Sequence, residues 1–202
     1  CQRPESSTAM KSRAPEPALV HRKIAVLGCQ AVGKTSLTNA FVSGTFSDTY
    51  DPTIENTHHK TIRFRRVHFD TDIVDTGGMD EYSRLSRNAS IGVNGYLLVF
   101  AITSKQSFEG VKQINEALLH TLGDALDVPR VLVGTMRDLA DQRQVSYQEG
   151  QSLAVEWKMP YLECSSKTGL NVAEVFHTLL KEVERDDGLL YETKSVVFCT
   201  IF

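Results

Sequence analysis

Gly28-Cys29-Gln30-Ala31-Val32-Gly33-Lys34-Thr35 reads G-x-x-x-x-G-K-T; the apolar run Ile24-Ala25-Val26-Leu27 precedes it, and Leu37, Ala40 and Phe41 follow at helical spacing. Strand, glycine-rich turn and helix in that order are the context in which such a loop cradles phosphate. Backbone N–H groups of Ala31, Val32, Gly33, Lys34, Thr35 and Ser36 can converge as an anion nest, and the helix N-terminus adds its partial positive charge. Gly28 and Gly33 permit backbone angles and close approaches that a bulky residue blocks. In this chemistry Lys34 reaches the outer phosphates and the Thr35 hydroxyl ligates magnesium.

A chain of 202 residues suits one domain with tails. The hydrophobic fraction of 41% supports a full core, and the formal charge of −3 excludes a basic nucleic-acid footprint. Arg63, Arg65 and Arg66 do cluster, as a solvated hairpin tip would. Cys1, Cys29, Cys164 and Cys199 have neither paired nor metal-ligand spacing, which points to a reducing compartment. Cys29 is either a small spacer or a thiol whose pKa the nearby helix N-terminus lowers. No apolar run reaches transmembrane length. Residues 1–21, with Pro4, Pro15 and Pro17, read as a disordered leader without a signal-peptide core.

Beyond the first helix, Gly44 and Asp48 open a loop containing Tyr50-Asp51-Pro52-Thr53-Ile54-Glu55, in which the Thr53 hydroxyl either ligates a metal or caps a turn. Strands are expected over 60–64 and 68–74, the second alternating His68, Asp70 and Asp72 with Phe69 and Ile73. Asp75-Thr76-Gly77-Gly78-Met79 follows directly, a carboxylate at a strand end with a bare glycine N–H beside it. A helix is expected over 82–91, then strands over 96–101, 131–133 and 161–163 and helices over 107–122, 147–157 and 172–184. Apolar strands alternating with amphipathic helices predict an α/β fold, a mainly parallel sheet covered on both faces. Every motif falls just after a strand, at the edge where such sheets bind ligands.

On these motifs, residues 22–187 resemble a Ras-superfamily small GTPase, the remainder being the leader and a tail over 188–202. Within the superfamily the Rheb subfamily matches Ser36-Leu37-Thr38, Tyr50-Asp51-Pro52-Thr53-Ile54-Glu55-Asn56-Thr57, Asp80-Glu81-Tyr82-Ser83 and Ser146-Tyr147-Gln148-Glu149-Gly150. The resemblance implies a three-layer phosphate-loop GTPase domain with a six-stranded sheet, binding GTP or GDP with Mg2+. It gives the phosphates to Ala31, Val32, Gly33, Lys34, Thr35 and Ser36, and magnesium to Thr35, Thr53 and, through water, Asp75. Ser47, Tyr50 and Asp51 lie along ribose and phosphates in the first switch, and Gly78 anchors the second switch to the γ-phosphate. Asp138 and the N–H of Ser166 recognise guanine. Asp51, Pro52, Thr53, Ile54 and Glu55 form the effector loop.

Four positions depart from the family pattern. Met79 stands where the family carries the glutamine that orients the attacking water, and a thioether has no donor and only weak acceptor character, so hydrolysis should be slow. Gln30 replaces glycine and crowds the approach of an arginine finger. Thr135-Met136-Arg137-Asp138 replaces N-K-x-D; guanine preference is expected to survive through Asp138, with weaker binding. Gly77 replaces alanine, which is expected to loosen the second switch.

Cys199-Thr200-Ile201-Phe202 fits a prenylation box, favouring geranylgeranyl. One lipid without a polybasic patch gives reversible binding, suited to the cytosolic face of internal membranes. The resemblance further implies a monomer with a TOR kinase complex as effector, a GTPase-activating protein and an exchange factor. Two functions fit: a slowly cycling GTPase, or a nucleotide-bound interaction module that scarcely hydrolyses. An ATP-using enzyme conflicts with Asp138 and the effector loop.

Overall fold

A computed structural model describes residues 19–49, 51–64, 67–79, 85–123 and 128–186. They form one six-stranded sheet of order β2-β3-β1-β4-β5-β6. The strands are β1 (Leu19–Gly28), β2 (Glu55–Phe64), β3 (Val67–Thr76), β4 (Gly95–Ala101), β5 (Arg130–Thr135) and β6 (Tyr161–Glu163). Only β2 and β3 pair antiparallel; the other neighbours are parallel. The helices are α1 (Lys34–Ser43), α2 (Lys105–Thr121), α3 (Tyr147–Glu156) and α4 (Val172–Asp186).

The side-chain alternation of β1 explains the three layers. Ile24 and Val26 enter a core with Leu37 and Phe41 of α1 and Phe176, Leu179 and Leu180 of α4. Ala25 and Leu27 point the other way, to Phe108, Val111, Ile114 and Leu118 of α2 and Leu153 and Ala154 of α3. Both faces are dry over the second half of the strand, so Ile24-Ala25-Val26-Leu27 is apolar at every position rather than at alternate ones. The stacked rings of Phe41 and Phe176, with centroids 3.9 Å apart, fix α1 against α4. Ser104 caps α2 by accepting from the N–H of Ser107, and Ser146 with Glu149 forms a capping box on α3. These caps set where each chain reversal ends.

Two expectations are corrected. β2 begins at Glu55, five residues before the expected start, with Glu55 opposite Thr76 and Phe64 opposite Val67. Its first half is polar because it lies at the sheet edge, where backbone pairing rather than burial holds it. No helix forms over the described part of 82–91, residues 85–91, which run as turns. There Ser86 Oγ accepts from Ala89 N at 3.0 Å, and Asn88 donates to Glu55 at 3.0 Å while accepting from Lys23 at 2.7 Å. Such side-chain bonds compete with the helical ladder. Tyr50, Arg65, Arg66, Asp80-Glu81-Tyr82-Ser83, the leader, the tail after 186 and Cys199 lie outside the described residues.

Candidate nucleotide and magnesium site

The loop after β1 turns sharply into α1. Ala31 and Gly33 both take left-handed backbone angles, φ 58° and 87°, and Gly33 is the N-cap of α1. Left-handed residues separated by one position curl the intervening N–H groups toward a common centre, as an anion nest requires. Lys34 is buried, and its Nζ donates to the carbonyl oxygens of Gly28 at 2.9 Å and Cys29 at 2.7 Å. Burial lowers its pKa to about 8 against the opposing pull of Asp75. An ammonium held this way gains by meeting phosphate charge.

Thr35 of α1 and Thr53 of the loop between α1 and β2 meet through their hydroxyls at 2.9 Å. Behind them Asp75, at the end of β3, is fully buried, and neither carboxylate oxygen has a hydrogen-bond partner among the described residues. Burial raises its pKa, and the neighbouring Thr35 hydroxyl and Lys34 ammonium only partly offset this. Two hydroxyls in contact before an unmatched carboxylate form an all-oxygen donor set, the chemistry that suits a hard cation such as magnesium. The residues fit that ion.

The loop after β3 is pressed against both neighbours. A Cβ on Gly78 would stand 2.5 Å from Gln30 Cα, so only glycine fits there without displacing the phosphate loop. Gly77 donates its N–H to the Ile54 carbonyl at 2.8 Å, and a Cβ on it would lie 2.8 Å from that oxygen and 2.9 Å from the Thr53 carbonyl. The expectation that Gly77 loosens this segment is therefore revised: its missing side chain lets two loops clamp. Met79 donates its N–H to the Gly28 carbonyl at 3.1 Å, while its side chain is buried in the core with Val74, Ala89 and Tyr96.

Of the residues expected along the ribose, Ser47 and Asp51 sit on an exposed loop, where Ser47 Oγ accepts from the Thr49 N–H at 3.1 Å. In the effector loop Asp51 and Pro52 are exposed and Ile54 is 94% exposed, whereas Glu55 is half-buried and held by Ser86 and Asn88.

At the ends of β5 and β6 a second group converges. The Thr135 hydroxyl is buried within hydrogen-bonding distance of the carbonyls of Val32, 2.6 Å, and Phe100, 3.1 Å, which ties this loop to the phosphate loop. Met136 is left-handed, φ 61°, and its sulfur accepts from Thr103 Oγ1 at 3.4 Å. Asp138 lies in the first turn of a short 3-10 helix, Arg137–Gln142, absent from the sequence expectations. Ser165 Oγ donates to Asp138 Oδ1 at 2.6 Å and accepts from Thr168 N at 3.2 Å. Ser166, the next residue, is half-buried. Ser165 was not singled out by sequence, although its place in Ser165-Ser166-Lys167 was the available signal: the serine directly before the expected base contact is the one that orients the aspartate.

For Cys29 the spacer is the reading the structure favours. Burial raises its thiol pKa and outweighs the lowering by Lys34, so it behaves as a packed spacer rather than an activated nucleophile.

The pattern of the Ras family matches residues 23–185. A Rheb homologue described as a GTP-binding protein from Dictyostelium discoideum is 47% identical over 165 residues, covering 82% of this chain and 89% of that protein. The GTP-binding protein Rheb of Homo sapiens is 45% identical over 174 residues, covering 86% and 94%. The GTP-binding protein rhb1 of Schizosaccharomyces pombe is 47% identical over 164 residues, covering 81% and 88%. With a phosphate-loop nest, an oxygen-lined cation site and a serine-held aspartate on one sheet edge, the chain belongs to the Ras family of small GTPases and, within it, to the Rheb subfamily.

Proposed function

We propose that this GTPase is a slowly hydrolysing GTP/GDP switch, tethered by a prenyl group on Cys199 to the cytosolic face of internal membranes and signalling to a TOR kinase complex. The observation that carries the switch is the 2.9 Å contact between Thr35 and Thr53, because it ties the first mobile-loop candidate to the phosphate loop directly before Asp75. In this reading Ala31, Val32, Gly33, Lys34, Thr35 and Ser36 take the phosphates, with Gly78 N–H on the terminal one. Ser47, Tyr50 and Asp51 face ribose and phosphates, and Thr135, Asp138 and Ser166 form the base site. Thr35, Thr53 and Asp75 would hold magnesium, which supplies charge neutralisation between the outer phosphates. Loss of the γ-phosphate then releases the loops that close on it.

Slow turnover is supported by Met79, whose side chain is 8% exposed and part of a buried apolar cluster, with no hydrogen-bond donor to offer phosphate. The same observation keeps the interaction-module reading in play. Identifying the nucleotide retained after purification and following single-turnover hydrolysis of bound GTP over hours distinguishes the two. Measurable conversion to GDP supports the cycling switch; GTP unchanged after a day supports the module, and retained ATP overturns both. Preferential capture of a TOR kinase complex by the GTP-loaded form tests the effector assignment.

Two smaller effects follow from the same assignments. Met136→Lys is expected to slow GDP release about fivefold, roughly 1 kcal/mol, by returning one charge-assisted hydrogen bond to the base site. The cost is the Thr103–sulfur contact, which is weak. An unchanged or faster GDP off-rate would show that the loop is adapted to methionine. No helix among the described residues is long and apolar enough to cross a membrane. Cys199→Ser is accordingly expected to move the protein from the membrane pellet to the supernatant while leaving GDP affinity within twofold. Equal sedimentation of mutant and parent would reject the lipid anchor.

A further inference from the structure

A cavity of about 510 Å3 lies among Arg137, Arg143, Tyr147, Tyr161, Glu163 and Leu170, residues that the proposed nucleotide contacts do not use. Its floor is an ion cluster with unequal partners. Arg143 donates Nη1 and Nη2 to the two oxygens of Glu163, both at 2.7 Å, and Nη1 also reaches the Val145 carbonyl at 2.8 Å. The Tyr161 hydroxyl donates to Glu163 Oε1 at 2.9 Å, and Arg137 Nε lies 3.1 Å from Oε2. Four donors fill the acceptor capacity of one carboxylate. Arg143 is then spent, whereas the terminal nitrogens of Arg137 make no hydrogen bond among the described residues, and its side chain is 44% exposed.

Two guanidinium groups against one carboxylate leave this cavity with one cation in excess. Its rim is apolar: Tyr147, whose ring centroid is 5.3 Å from that of Tyr161, and Leu170 each expose about half their surface. A planar fork with one net charge matches a carboxylate better than a doubly charged phosphate. The exposed ring and leucine match a flat hydrocarbon body, and the volume is that of a small-molecule site.

We propose that this cavity binds a small aromatic carboxylate, its carboxylate on the outer edge of Arg137 and its ring against Tyr147 and Leu170. Binding also braces the loops assigned to guanine, a consequence that rests on that assignment. Arg137 donates its N–H to the Cys164 carbonyl at 3.0 Å, and the Leu170 carbonyl accepts from Ser165 N at 3.0 Å. Ser165 in turn holds Asp138. A ligand joining Arg137 to Leu170 therefore links the segments on either side of the base site.

The test titrates the isotope-labelled full chain, with and without GDP, using indole-3-carboxylate and its neutral analogue indole-3-carboxamide. The carboxylate is expected to shift the backbone signals of Tyr147 and Leu170 and the Nε–H of Arg137 at millimolar concentration, at least tenfold more tightly than the carboxamide. Arg137→Gln should abolish that preference, and Leu170→Asp, which adds a repelling charge at the rim, should abolish binding in a chain whose spectrum remains folded. Equal binding of both probes, or shifts confined to other surfaces, would overturn the site. In the parent the carboxylate is expected to slow GDP release at least twofold. An unchanged release rate at saturating probe would overturn the bracing, and because the titration is repeated without GDP, it is read separately from any error in the guanine assignment.

Discussion

Met79→Gln is expected to raise intrinsic single-turnover GTP hydrolysis several-fold, and only the pair Met79→Gln with Gln30→Gly is expected to respond to an arginine-finger activating protein, by on the order of 10³. Phosphoryl transfer depends on positioning and electrostatics, so a group that holds the attacking water in line acts directly on the barrier. Methionine cannot accept from that water and donate to a phosphate oxygen; glutamine can. The structure adds a reason for the substitution to work. Met79 belongs to one buried apolar cluster with Val74, Ala89 and Tyr96, where burying a glutamine amide costs desolvation, which favours a rotamer that leaves the cluster. The second residue is needed because Gln30 lies against Gly78, its Cβ 2.6 Å from where a Cβ on Gly78 would stand, and the family resemblance implies that a side chain at this position crowds an arginine finger. Rapid hydrolysis by the parent, unaltered in Met79→Gln, would defeat this account and move the water-positioning role elsewhere, with Tyr50 the first to examine.

Lys34→Ala should weaken GDP and GTP binding by at least 100-fold, about 3 kcal/mol, the scale of losing a charge-assisted contact to phosphate. Lys34 is the one cationic residue from Gly28 to Thr35, and Thr35→Asn should act similarly by removing a hydroxyl from the proposed cation site. The parent should also show a pH dependence. Burial holds the Lys34 pKa at about 8, below its ordinary value, so the nucleotide-free protein loses this charge as pH rises through 8. Affinity for GDP should therefore be full below that pH and fall above it, with the fall absent in Lys34→Ala. Isothermal titration from pH 7 to 9.5 checks both. Affinity near that of the parent in Lys34→Ala would remove the loop from the phosphate assignment.

The parts legible in the sequence were those governed by local pattern. Ile24 to Leu27 alternate between two dry faces, and such a run has few options other than a central strand. The glycine spacing from Gly28 to Gly33 located the nest because backbone angles there are restricted. The extent of β2 was hidden because Glu55, Asn56 and Thr57 pair through their backbones at an edge, a contact that leaves no apolar trace. The helix expected near 82–91 gave way, over its described part, to bonds from Ser86 and Asn88 reaching Glu55, more than thirty residues away. Ser165 was missed for the same reason: its role depends on Asp138, which only the parallel pairing of β5 and β6 brings alongside. Met79 was found as a departure from a pattern, but its burial in the cluster that includes Ala89 and Tyr96 depends on residues that only the fold brings together.

Ile54 presents its side chain outward while its carbonyl receives the N–H of Gly77. One residue therefore belongs at once to the outer surface and to the seam between the two loops. A partner that grips the Ile54 side chain also restrains that seam, and linkage requires the restraint to be mutual. Whatever factor the γ-phosphate adds to the partner's affinity, the bound partner returns as the same factor in retention of the triphosphate. A partner's hold on the Ile54 side chain is thereby also a contribution to the affinity of the chain for its triphosphate, made from outside the pocket.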